Sequence, residues 1–111
     1  MSLPNNIVFK SLGEVAGTFI LVSVILMITS ANKPNPRGAG DVAIPIGIAL
    51  IVAIYMFGDL SGGHFNPAVS MTMFLKDQAS FGPLMLAIYI VAQMVGGVVA
   101  LQWNSITSLS K

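Results

Sequence analysis

The residues equipped for chemistry in this chain lie together in Ser61-Gly62-Gly63-His64-Phe65-Asn66-Pro67-Ala68-Val69. Ser61 to Pro67 reads as a Gly-rich turn, and Ala68 to Leu75 as a short helix. Asn66 is a favoured N-cap residue, and Pro67 suits the first helical position, where an amide would have no intrahelical partner anyway. Lys76 closes the segment at the end where a cation suits the helix dipole. At the opposite end the free backbone amides and the positive end of the dipole face outward, and the Asn66 side chain adds amide hydrogens. An end of that kind orients a water or hydroxyl oxygen and opposes cations.

Little else in the sequence could carry a reaction. There are one His, four carboxylates in no cluster and no Cys, which excludes a disulfide framework, a thiolate metal site and a cysteine nucleophile. A lone His64 without companion ligands is a poor metal candidate and reads better as a brace for the turn. The expectation is a protein that is not an enzyme and has neither metal nor cofactor. Five basic residues against four acidic ones, net +1, offer no surface for nucleic acid.

The elements that must position the turn are apolar. The chain is 55% hydrophobic and 8% charged, where a soluble domain carries roughly 25% charged residues. Its surroundings are therefore a lipid bilayer. Between Glu14 and Lys33 no charge occurs, and a span is expected over about 10–30. That run exceeds the roughly 7–15 residues of a signal-peptide core, and Glu14 interrupts its start. Asn32 to Asp41 is rich in Pro, Gly and Asn and reads as a loop. A second span is expected over 42–58, with Pro45 near its start where a helix tolerates it, and a third over 83–102, with Trp103 at the level where interfacial aromatics collect. The tail from Asn104 reads as polar and frayed. Small residues recur on the spans (Gly13 and Gly17, Ala49 and Ala53, Ala92 and Gly96), as close helix packing in lipid requires.

The segment 61–76 does not fit that series. A helix of about ten residues is roughly 15 Å long, half of a hydrocarbon core about 30 Å thick. Non-helical backbone at membrane depth persists only where it is packed in protein or lines a watery cavity. The fold class expected is therefore an all-α membrane protein, three transmembrane helices plus one re-entrant half-helix, forming a single unit over 1–111.

At these residues the sequence resembles the major intrinsic proteins, the aquaporins and aquaglyceroporins. Ser61 to Val69 is similar to their first signature loop, Glu14-Val15-Ala16-Gly17-Thr18 to their first-helix motif, and Ala92-Gln93-Met94-Val95-Gly96-Gly97 to their third-helix motif. The resemblance extends over nearly the whole chain and covers the first repeat. It implies a channel for water or small neutral solutes such as glycerol, in which half-helix dipoles help to exclude protons. It implies that Asn66, with Pro67 and Ala68, sits at the pore centre and that Gly63, His64 and Phe65 offer backbone carbonyls along the conduit. It also implies that Glu14 and Gln93 support the loop. Ile46, twenty positions before Asn66, matches the second-helix position of the family's selectivity filter, and an aliphatic residue there leans toward neutral solutes besides water.

The pattern is incomplete in one respect. Family members carry a second repeat, with an opposing half-helix, a second Asn-Pro-Ala and an Arg directly after it, whereas Val69 follows the motif here. One half-helix ending at mid-membrane needs an inverted counterpart. Three arrangements supply or dispense with one. The chain is half of a longer or split channel; or it pairs with itself in antiparallel fashion, its Lys and Arg being nearly balanced between the two sides; or it is a non-transporting protein that associates with full-length relatives. The resemblance further implies oligomers of complete barrels.

Overall fold

A computed structural model describes residues 5–29 and 38–109. It contains four helices: α1 (Ile7–Ile28), α2 (Ala39–Ser61), α3 (Pro67–Lys76) and α4 (Pro83–Leu109). Three of them, α1, α2 and α4, are long and apolar enough to cross a membrane. The 22 residues of α1 and the 23 of α2 correspond to about 33–35 Å of helix, matching a hydrocarbon core of about 30 Å. The 10 residues of α3 reach only about 15 Å.

The ends of the spans differ from expectation for local reasons. α1 begins at Ile7, one turn early, with the Lys10 amide donating to the Asn6 carbonyl. Ala39, Gly40 and Asp41 belong to α2 rather than to the preceding loop, because the Asp41 carboxylate accepts the Gly38 amide while the Gly38 carbonyl accepts the Asp41 amide. The remainder of that expected loop, 30–37, lies outside the described residues. With the helix starting at Ala39, Pro45 sits in its second turn, and the donor it lacks is the one that would have served the Asp41 carbonyl. The expected frayed tail is helical to Leu109. No Gly or Pro interrupts it, and the hydroxyls of Ser105 and Thr107 donate to the carbonyls of Leu101 and Trp103 one turn back.

α1 packs against both α2 and α4, and α3 packs against α4. The contacts run through small residues. Ala53 and Ala100 are fully buried, and Gly96 brings α4 so near α1 that an added Cβ would lie 2.5 Å from the Val15 carbonyl oxygen. Gly17 leaves the space occupied by the Phe65 ring. Without an apolar driving force between helices in lipid, close backbone approach and polar contacts hold such a bundle together. The outward faces are apolar and exposed, as at Ile48, Tyr55, Val91 and Val98. They are the faces that meet lipid.

Candidate functional site: the re-entrant loop and its supports

α2 ends at Ser61, and α3 begins at Pro67 after five intervening residues. The turn between them holds three residues at positive φ. Gly62 and Gly63 have φ of 91° and 66°, and Phe65 has 54°. Gly tolerates that region, whereas Phe is held there at a cost of order 1–3 kcal/mol that its surroundings must offset. They do so in two ways. The Phe65 ring is buried in the space that Gly17 leaves, and the Phe65 amide donates to Glu14 Oε1 at 2.8 Å.

Glu14 is the hub of the site. It is wholly buried, and its carboxylate accepts from the Ser61 hydroxyl (2.7 Å), the His64 amide (3.1 Å), the Phe65 amide (2.8 Å) and Gln93 Nε2 (2.9 Å). Intramembrane carboxylates face the protein interior and find partners, and this one is saturated. Gln93 Nε2 also donates to Ser70 Oγ at 2.8 Å. A carboxylate only accepts, so the Gln93 amide nitrogen must face Glu14 and its oxygen must point elsewhere. Ser70 Oγ in turn meets His64 Nδ1 at 2.8 Å, and which of the two donates follows the imidazole tautomer. The His64 ring lies 5.1 Å from that of Phe81 and 5.0 Å from that of Tyr89. The Tyr89 hydroxyl donates to the Ser61 carbonyl.

These bonds divide the loop's backbone by polarity. The amides of Gly62, Gly63, His64 and Phe65 donate in turn to the Gly58 carbonyl, Ser61 Oγ and the two Glu14 oxygens. The carbonyls of the same four residues accept nothing among the described residues. At the loop's end Asn66 is extended, with φ −157° and ψ 125°, and its Oδ1 accepts the Ala68 amide at 2.8 Å. Pro67 occupies the first helical position and Lys76 the last turn. With Oδ1 committed to the cap, the Asn66 Nδ2 hydrogens have no partner among the described residues and lie beside the positive end of the α3 dipole.

A groove of about 400 Å³ opens at this point, lined among others by Thr18, Leu21, Phe65, Asn66, Pro67 and Gln93. Thr18 Oγ1 and Gln93 Oε1 are buried within the bundle with no hydrogen-bond partner among the described residues. Glu14, Gly63, His64, Phe65, Asn66, Pro67 and Gln93 thus converge on one place. Ala68 follows them in the first turn of α3, where its amide serves the cap. Ile46 does not join them: it is half-buried near the start of α2, a rise of about 22 Å from Ser61 along the helix axis. Ser70 and Tyr89 carry contacts that the motifs did not single out. The available signal was spacing, since Tyr89 precedes Gln93 by four residues and so shares its helix face. Among the described residues no group of three or more His, Cys, Asp or Glu could hold a metal ion.

A family model described as Major intrinsic protein matches residues 5–108. The chain belongs to that family. Among its relatives, Glycerol uptake facilitator protein-like 6 of Lactiplantibacillus plantarum is 36% identical over 91 residues, covering 82% of this chain and 40% of that protein. Aquaporin-B of Dictyostelium discoideum is 40% identical over 95 residues, covering 80% and 30%. Human Aquaporin-9 is 35% identical over 100 residues, covering 87% and 33%. The chain therefore spans well under half the length of the curated relatives it matches. No solved structure matches it. Major intrinsic proteins are membrane channels rather than enzymes, and the three apolar spans with one short helix are consistent with one half-repeat of such a channel.

Proposed function

We propose that this chain supplies one half of a passive channel for water and small neutral solutes, and that a second, inverted half completes the conduit. The observation that carries this reading is the polarity of the loop: four amides satisfied inside the protein, four carbonyls left open, and the free Asn66 amide at the capped end of a half-helix. Open acceptors in line with a donor suit a solute that both donates and accepts, as water and glycerol do. Gly63, His64 and Phe65 line the conduit with their carbonyls, and Asn66-Pro67-Ala68 marks its centre. Ile46 forms part of a narrow filter toward the far end of α2, and its aliphatic side chain admits neutral solutes besides water. The names of the relatives, which include a glycerol uptake facilitator-like protein and two aquaporins, agree with that solute class.

The need for a counterpart is supported by the groove beside Asn66 and Pro67, which opens at the capped end of the half-helix. The test is osmotic shrinkage of liposomes by stopped flow, with the chain alone and with the chain co-reconstituted with the C-terminal half of Aquaporin-B. Shrinkage no faster than that of empty vesicles is expected for the chain alone, and clear acceleration for the pair. The near balance of Lys10 and Lys76 against Lys33, Arg37 and Lys111 favours a second reading, an antiparallel pair of identical chains. Fast shrinkage with the chain alone would establish that one instead. No acceleration in either sample would leave association with full-length relatives as the function.

A further inference from the structure

We propose that Tyr89 is a positioning residue for the conduit: from α4 it sets the direction of the peptide planes at the start of the re-entrant loop, and so the aim of the Gly62 and Gly63 carbonyls. The inference rests on the reading of the Gly63 carbonyl as conduit lining.

The two halves of the loop are held by different residues. Its later half is fixed by Glu14, through the amides of His64 and Phe65. Its earlier half meets Glu14 only through Ser61, whose hydroxyl donates to Glu14 and accepts the Gly63 amide. Gly62 and Gly63 lack side chains, and both have positive φ, a region that glycine exchanges readily with its alternatives. The plane joining Ser61 to Gly62 is held from one side by the Gly62 amide, which donates to the Gly58 carbonyl at 2.8 Å. From the other side it is held by the Tyr89 hydroxyl on the Ser61 carbonyl. That carbonyl lies at the C-terminus of α2, where a helix has no donor of its own to offer.

The same side chain fixes a second point of the loop. Its ring is 2% exposed and lies 5.0 Å from the His64 imidazole and 4.9 Å from Phe81, edge to face. Gln93 stands one turn further along the same face of α4 and reaches Glu14 and Ser70. One rigid helix therefore holds the loop at its beginning through Tyr89 and at its middle and end through Gln93.

If Tyr89 only filled space, Phe would serve equally well, so Tyr89→Phe separates the hydroxyl from the ring. In isotope-labelled chain in lipid nanodiscs, this variant is expected to shift the carbonyl carbon signals of Ser61, Gly62 and Gly63. The His64 ring and the α1 signals should stay in place. In the co-reconstituted vesicles, water permeability is expected to fall about fivefold, the factor that one ordinary neutral hydrogen bond supplies, while glycerol permeability falls less. Placing 4-aminophenylalanine at position 89 restores a donor and should return both readouts toward the wild-type values, which also covers the case in which the Phe variant folds poorly. Unchanged carbonyl signals and unchanged permeability in a background where the wild type conducts would overturn the role of Tyr89 alone. So would signal changes spread over all the helices, or failure of the amino variant to rescue. A wild-type pair that does not conduct would overturn the conduit reading itself, whatever the carbonyl signals show.

Discussion

The two sides of the re-entrant loop obey opposite rules. Toward Glu14, every donor from Gly62 to Phe65 is met inside the protein, by the end of α2, by Ser61 or by a wholly buried carboxylate. Toward the other side, the carbonyls of the same residues and the Asn66 amide hydrogens are left without partners among the described residues. An irregular segment in a membrane is usually a problem of satisfying all of its polar groups at once. Here the fold satisfies one set so completely that the other is free to face something else. Rigidity on one side is what makes availability on the other useful, because a loop free to turn over could pair its own carbonyls.

The heaviest blow to this contrast is Glu14→Ala. The His64 and Phe65 amides lose their acceptor, at about 1–3 kcal/mol for each buried donor left unmet, so a loss above about 3 kcal/mol is expected. Unfolding in mixed detergent micelles measures it, and hydrogen exchange should quicken first at those two amides. Next comes Gly17→Ala, whose methyl group would fall on the Phe65 ring. Overpacking of this kind costs about 1–3 kcal/mol, whereas Gly97→Ala, with nothing within 4 Å of its Cβ, should stay within about 0.5 kcal/mol. Equal effects at the two positions would mean that the Phe65 seat does not hold the loop.

Asn66 sharpens the comparison from the open side. Asn66→Ala removes the cap on the Ala68 amide and should cost about 1 kcal/mol in the same unfolding assay. Asn66→Asp keeps a capping oxygen but removes the free amide hydrogens. It should leave stability within about 0.5 kcal/mol while lowering water permeability of the completed channel about fivefold. The smallest effect is expected away from the loop. The Ser80 hydroxyl and amide donate to Asp77 and hold its carboxyl below its ordinary value of 3.8. The group is fully exposed, so its contribution to stability is slight. Because its folded value lies below its unfolded one, that contribution is complete above the ordinary value and disappears as pH falls through the folded one. Ser80→Ala should return the Asp77 carbonyl-carbon titration toward 3.8 without altering permeability.

Much of this contrast was legible in the sequence. The apolar runs and the Pro at the first position of α3 each point to a physical requirement that a single residue type reveals, whereas the support by Glu14 was implied by the resemblance. Element ends were less legible, since the start of α2 depends on one carboxylate reaching back to Gly38, and the continuation of α4 on hydroxyls bonding their own helix. Ser70 and Tyr89 were not legible, because neither belongs to a recognisable motif and both matter through partners distant in the chain. The role of the Phe65 ring was hidden for the same reason: its seat is the absent side chain of Gly17.

The separation of partners along the chain has a consequence for biosynthesis. Glu14 meets Ser61, His64 and Phe65 across 47 to 51 residues and Gln93 across 79. During synthesis α1 precedes α2, α3 and α4, so its carboxylate is made well before any of these donors. The half-helix follows, yet Gln93 and Tyr89 arrive only with α4. The loop can therefore lock only when α4 has docked, and until then the Glu14 carboxylate lacks its full set of donors.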